Sequence, residues 1–165
     1  MEMPGQRPSA DKPPADAAEQ EGDAGASPEK VEMDFESIAS ENFSRWNEAL
    51  LTGDPEQVAA LYTEDATFLP TVSGDFKLGQ DGAEQYFEHF LESNPSGEVI
   101  DAKVQPLGPD SYLHSGMYNF EVDSADPESA GKRIIVEARF TFAWGKNADG
   151  EWRIMHHHSS VRPKS

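Results

Sequence analysis

Three histidines and two serines follow one another in the segment Glu151–Pro163, EWRIMHHHSSVRP. Imidazole is the side chain whose charge changes near neutral pH, and it is also the commonest metal ligand. What this run can do depends on which of its rings can reach one substrate or ion. The segment reads as a strand, and a strand sends successive side chains to opposite faces. His156 and His158 are therefore expected on one face with Trp152 and Ile154, and His157 on the other with Met155 and Ser159. Two imidazoles two residues apart on one face bind zinc when a third ligand approaches. His114 is the only obvious further imidazole, and the chain has no HExxH and no cysteine. The reading is that His156 and His158 help build a subunit interface or cap the sheet, with no metal and no cofactor. His157 is the ring to consider for a ligand, or for general-base work if a substrate comes within hydrogen-bond reach.

The preceding strand, Lys132–Trp144, carries an arginine among apolar residues. Val136, Ala138, Phe140, Phe142 and Trp144 share one face, which reads as packed surface. Arg139 shares the other with Glu137, Thr141 and Ala143. A guanidinium there suits a carboxylate, which it grips through two parallel hydrogen bonds; paired instead with Glu137 it is a surface ion pair of small weight. On the strand Ser111–Val122, Asn119 and Glu121 alternate with Met117, so Asn119 is a polar lining residue if that side faces a cavity. The chain shows no nucleophile elbow, phosphate loop or dinucleotide fingerprint.

These strands need something to pack against. The chain has 165 residues, enough for one domain with a real core. A formal net charge of −18 argues against nucleic acid and against an anionic membrane surface. No apolar run approaches the roughly 20 residues of a spanning helix. No signal peptide is visible, which suits a cytoplasmic protein, although an exported origin with a trimmed signal stays open. Residues 1–33, rich in Pro, Ala, Gly and acidic residues, are expected to be a disordered tail, because they cannot bury enough apolar surface to offset their ordering entropy. Residues 34–165 are expected to form the domain.

Within it, Phe35, Ile38, Ala39, Phe43, Trp46, Leu50 and Leu51 recur at helical spacing, and Gly53 suits the helix end. Asp54-Pro55-Glu56-Gln57 reads as a cap, a first-turn proline and a capping glutamine. It opens a short helix through Val58, Leu61 and Tyr62. Ala66–Leu69 reads as a short strand, and Asp81 as the cap of a third helix whose buried stripe is Tyr86, Phe87, Phe90 and Leu91. From Glu98 the period becomes two-fold, with strands at Val99–Leu107, Ser111–Val122, Lys132–Trp144 and Trp152–Val161. Helices followed by antiparallel strands argue an α+β domain with the helices on one face of a sheet.

The helix–Gly-Asp–helix opening (Asn47–Tyr62), the turn at Gly79 leading to QYFEHF (Gln85–Phe90), the strand ARFTF (Ala138–Phe142) and the ending DGEW…HHHSS…P resemble the calcium/calmodulin-dependent kinase II association-domain family. The likeness is to its free-standing bacterial members, within the nuclear transport factor 2 (SnoaL-like) superfamily. It spans roughly Phe35 to Pro163. The resemblance implies a cone-shaped fold in which a curved antiparallel sheet wraps about three helices and leaves a pocket. It also implies a homodimer or larger ring associated through the outer sheet surface. In the kinases the pocket takes a small carboxylate through arginines. The matching positions here are Met117, Phe142 or Ala143, and Ser159, and a hub histidine falls at Ala83. His157 and Ser159 lie on the strand face that matches the hub pocket, and Arg139 stands one strand-turn away from the missing charges.

The expectation is an oligomerising, non-catalytic domain that binds a small organic ligand, possibly a carboxylate, through Arg139, His157, Ser159, Asn119 and Glu137. Arg139 and His157 would look inward, and His156 and His158 outward. The alternative is an isomerase, cyclase or hydratase of the same fold using His157 or Glu137 as its base. A third is a regulatory partner of another protein, with the acidic tail as the contact.

Overall fold

The computed structural model describes residues 34–164; the expected acidic tail, residues 1–33, lies outside them. Helix α1 (Phe35–Leu51) buries Ala39, Phe43, Trp46 and Leu50 of the expected stripe, whereas Leu51 at its end is 62 % exposed. Gly53 ends it at φ 73°, its N–H donating to the Leu50 carbonyl at 3.1 Å. Helix α2 (Pro55–Ala59) opens on Asp54, whose carboxylate accepts from the Glu56 N–H at 3.0 Å.

The expected continuation of α2 through Tyr62 is corrected. Tyr62 begins strand β1 (Tyr62–Leu69). Strand β6 (Trp152–Val161) pairs with β1 in parallel, and the Ile154 N–H donates to the Leu61 carbonyl at 2.7 Å. A long-range backbone partner thus outweighs the local helical spacing of Val58, Leu61 and Tyr62. A two-residue strand β2 (Lys77–Leu78) leads into α3 (Gly79–Phe90). This helix starts before Asp81, and no side chain caps its N-terminus. Gly79 has φ 69° and approaches the Glu64 carbonyl so closely that a Cβ would sit 2.7 Å from it.

The remaining strands are β3 (Ser96–Gly108), β4 (Ser111–Asp123) and β5 (Arg133–Lys146). Among the described residues the sheet has six strands in the order β2-β1-β6-β5-β4-β3. All neighbours are antiparallel except β1 and β6. The α+β architecture is as expected, with one parallel pairing added.

Irregular pairing bends this sheet. The β3–β4 register shifts around Ile100, and the β5–β6 register shifts so that Met155 is the extra residue opposite Ala143 and Trp144. Such bulges sharpen local twist and bend. Two glycines make room for them. A Cβ on Gly116 would lie 2.0 Å from the Asp101 carbonyl oxygen, and one on Gly145 would lie 2.8 Å from the Met155 sulfur. The inner face then carries Tyr112, Tyr118, Phe120, Phe140, Phe142, Trp144 and Ile154 against α1 and α3, with Trp46 at the centre. Trp46 meets Phe142 edge-on at 5.3 Å and stacks on Tyr118 at 6.3 Å. Each large side chain removed from water here contributes about 1.5–3 kcal/mol.

Candidate ligand-binding site

Strand parity decides which candidate residues meet. Paired residues share a face, and β5 turns Ala138, Phe140, Phe142 and Trp144 into the core. Phe140 pairs with Ser159 and Phe142 with His157, so both of these β6 side chains point inward; His157 is 2 % exposed and Ser159 4 %. His156 and His158 point outward, opposite Ala143 and Thr141. Ile154, expected beside His156, instead lies on the inner face with His157. The bulge at Met155 reverses the alternation between them.

The expected inward orientation of Arg139 is corrected. Arg139 pairs with Met117 and Ser160 on the outer face, where its Nε–H donates to the Ser160 hydroxyl at 3.2 Å. Glu137 and Asn119 pair with each other on that same outer face. The physical reason is the apolar row itself. If Phe140 and Phe142 are to be buried, Glu137 and Arg139 must face away from the core. The structure therefore unites His157 with Ser159 and separates both from Arg139, Asn119 and Glu137. Of the hub-pocket positions, Met117 and Ala143 face outward, whereas Ala83, Phe142 and Ser159 are buried.

His157 lies flat between Phe142, at 4.1 Å between ring centroids, and Phe68, at 4.8 Å. Burial holds its pKa well below the ordinary histidine range, and the neighbouring His156 and His158 push the same way, so the ring is neutral. Both ring nitrogens are engaged. Nδ1 is 2.9 Å from the Tyr62 hydroxyl and Nε2 is 3.1 Å from the Tyr118 hydroxyl. Sequence reasoning placed Tyr62 on a short helix without seeing this role. The available signal was tyrosine rather than phenylalanine at core positions, because a buried phenol requires a partner.

These contacts form a chain with a fixed sense. The Trp46 indole can only donate, and its Nε1–H reaches the Tyr62 oxygen at 3.2 Å. Tyr118 donates to Ser159 at 2.6 Å, so it has no proton left for His157. In a neutral ring Nε2 must then carry the hydrogen and donate to Tyr118, and Nδ1 must accept from Tyr62. Ser159 in turn meets the Thr71 hydroxyl. Ser159 accepts from Tyr118 and can donate to Thr71, an arrangement that leaves the Thr71 proton free to turn outward. The chain runs Trp46, Tyr62, His157, Tyr118, Ser159, Thr71, from core to surface.

Thr71 is where the chain meets a cleft of about 760 Å³ between the loop after β1, α3 and the ends of β4 and β5. Phe90, Phe120, Val122, Ile134 and Val136 provide its apolar wall, and Tyr86 stands beside Thr71. Tyr86 is 8 % exposed, and its hydroxyl has no hydrogen-bond partner among the described residues. It sits near Thr71 and the Val72 backbone without hydrogen-bond geometry, and burial pushes its pKa up, so it stays protonated. At the rim Lys77 pairs with Asp75 at 3.5 Å, and Asp123 is held by Arg133 at 3.0 Å and by Asn94 at 2.7 Å. Asp123 is thereby kept below the usual carboxylate range. The sequence reading assigned Tyr86 to a buried stripe and gave Thr71 no role, and a site at their junction had no local signal.

Among the described residues, no group of three or more histidine, cysteine or acidic side chains is placed to hold a metal. The His156 Nδ1 is 2.7 Å from the Thr67 hydroxyl. His114, 5 % exposed, is lowered in pKa by burial. No helix among the described residues is long and apolar enough to cross a membrane.

Comparison with known proteins agrees with this fold. The family described as calcium/calmodulin dependent protein kinase II association domain matches residues 38–163. A crystal structure from Xanthomonas campestris, named as a candidate domain of that kind, is 38% identical with a TM-score of 0.73, covering 86% of this chain and 95% of that one. An NTF2-like superfamily protein from Salmonella enterica serovar Typhimurium has a TM-score of 0.64 at 18% identity, over 78% of this chain and 92% of that one. A ketosteroid isomerase-like protein from Erwinia carotovora atroseptica has a TM-score of 0.62 at 15% identity, over 78% and 96%. The last two show the NTF2-like fold alone. No curated protein matches the chain.

Proposed function

The chain belongs to the calcium/calmodulin dependent protein kinase II association domain family, and on that premise we propose that it is an association module. It forms a homodimer or larger homo-oligomer through the outer face of its sheet and holds a small organic molecule in its cleft without transforming it. The observation that carries this reading is the composition of three outward rows across β4, β5 and β6. They read Leu113–Ala143–His156, Ser115–Thr141–His158 and Met117–Arg139–Ser160. In a chain with 27% charged residues, these nine positions carry one formal charge with the histidines neutral. A patch without carboxylates at these nine positions can approach its own copy with little like-charge repulsion, and depletion of charge marks the centre of interfaces.

On this reading Arg139, Asn119 and Glu137 serve the association face and its rim, while His157 and Ser159 support the cleft from behind. The environment of His157 favours binding over an isomerase-type proton shuttle. A base must accept a proton from substrate, whereas both nitrogens of this ring are bonded to tyrosines in the core. Glu137, the other base considered, lies on the outer face.

The test is sedimentation equilibrium at micromolar concentration on the wild-type chain and on Thr141→Glu, with circular dichroism to verify folding. The expected result is a dimer or larger species for the wild type and a shift toward monomer for the variant. A wild type that is strictly monomeric would overturn the reading.

A further inference from the structure

We propose that the inner end of the cleft is a subsite for a neutral oxygen acceptor, a ketone or ester carbonyl on an apolar, ring-sized molecule, which takes hydrogen bonds from the Tyr86 and Thr71 hydroxyls. This rests on the small-ligand reading above and names the ligand's chemistry, which differs from the carboxylate implied by the kinase hubs.

Two independent observations meet at this point. Tyr86 lines the cleft, about nine-tenths buried, with a hydroxyl that no described residue engages. A buried donor left unmade is costly, and a ligand acceptor relieves that cost. Beside it, Thr71 ends the buried chain. Ser159 accepts from Tyr118 and can donate to Thr71, and in that arrangement the Thr71 proton is free to turn to the cleft. A buried hydroxyl without a partner beside one that can donate favours an acceptor.

The rest of the cleft selects against charge. Its ionisable lining groups are Asp75, Glu88, Asp123, Lys77 and His89. Lys77 is paired with Asp75, and the nearby Arg133 is held by Asp123 and by the Asn94 and Glu121 carbonyls. Lys77, the ammonium that lines the cleft, is thus already engaged by a carboxylate. Phe90, Phe120, Val122 and Val136 supply the apolar wall, and a cleft of about 760 Å³ lies in the range that accepts a drug-sized molecule.

The inference is tested with three probes that share one ring system, namely methyl naphthyl ketone, ethylnaphthalene and naphthoate. They are titrated by calorimetry into the full chain, into Tyr86→Phe and into Thr71→Val. The ketone is expected to bind roughly tenfold more tightly than ethylnaphthalene, because only it satisfies the buried donors, and naphthoate is expected to bind most weakly. Tyr86→Phe removes a hydroxyl that has no partner, so the variant should fold as well as the wild type while the ketone loses most of its advantage. Thr71→Val should reduce the advantage further if it folds; if it does not, Tyr86→Phe decides the matter alone. Naphthoate binding tightest, or Tyr86→Phe leaving the ketone's preference intact, would overturn the acceptor subsite while keeping a ligand cleft. Failure of all three probes to bind the wild type would overturn both the subsite and the cleft reading.

Discussion

The two faces of strand β6 use the same side chain in opposite ways. Inside, His157 is sandwiched by aromatic rings, bonded at both nitrogens and kept neutral by burial. Outside, His158 is exposed and His156 is half-buried, bonded at one nitrogen to Thr67. Identical chemistry one residue apart becomes structural in one case and available in the other. The difference shows that a histidine's function is set by how many of its hydrogen-bonding sites the fold has already taken.

The comparison is broken most severely by His157→Ala. It opens a cavity between Phe68 and Phe142 and strands two buried phenols, so a loss of about 3–5 kcal/mol is expected in urea unfolding. His158→Ala, its outward counterpart, should stay within about 0.5 kcal/mol. An inner-face loss below 1 kcal/mol would mean that the ring carries little of the core.

Next in size is the bend that separates the two faces. Gly116→Ala places a methyl where the Asp101 carbonyl already lies, and about 2–3 kcal/mol of destabilisation is expected. Gly108→Ala, with open space around its Cβ, is the control and should be close to neutral. Equal effects from the two would count against close strand approach as the source of the curvature.

Titration sharpens the contrast. His157 has a folded pKa well below its unfolded value, and His114 and His156 are lowered as well. Below about pH 6.5 the unfolded chain therefore binds more protons than the folded one, and stability falls as pH falls. The fully buried His157 should account for the largest part of that loss. In His157→Gln the dependence over this window should flatten, and thermal melts across it read the change.

The smallest effect on stability belongs to the outer face. Arg139→Ala removes one exposed hydrogen bond to Ser160, so the monomer's unfolding free energy should move by less than about 0.5 kcal/mol. A larger change at fixed protein concentration would locate Arg139 in an energetic contact that one subunit does not contain.

Alternation on its own strand separated His157 from His156 and His158, and the resemblance to the hub pocket turned it inward; most of the buried stripe of α1 came from its 3.6-residue period. Ile154 was misplaced because a bulge leaves no mark in composition; Met155 looks like any strand residue until Gly145 is seen beneath it. Arg139 was misplaced for another reason. Its polar face and the apolar face opposite were identified correctly, but which of them bordered the cavity depended on where the helices lie. Thr71 and Tyr86 went unrecognised as a pair because they sit on a loop and a helix that the sheet's curvature brings together.

Periodicity, capping residues and charge are local properties. They determined the helices, most of the strands, the absence of a thiol and the division of β5 into a polar and an apolar face. The parallel partner of β1, the reversal at Met155 and the meeting of six polar groups from Trp46 to Thr71 belong to the tertiary structure. A hydrogen bond between residues far apart in the chain depends on closing the whole loop between them, and no local pattern in the sequence encodes that closure.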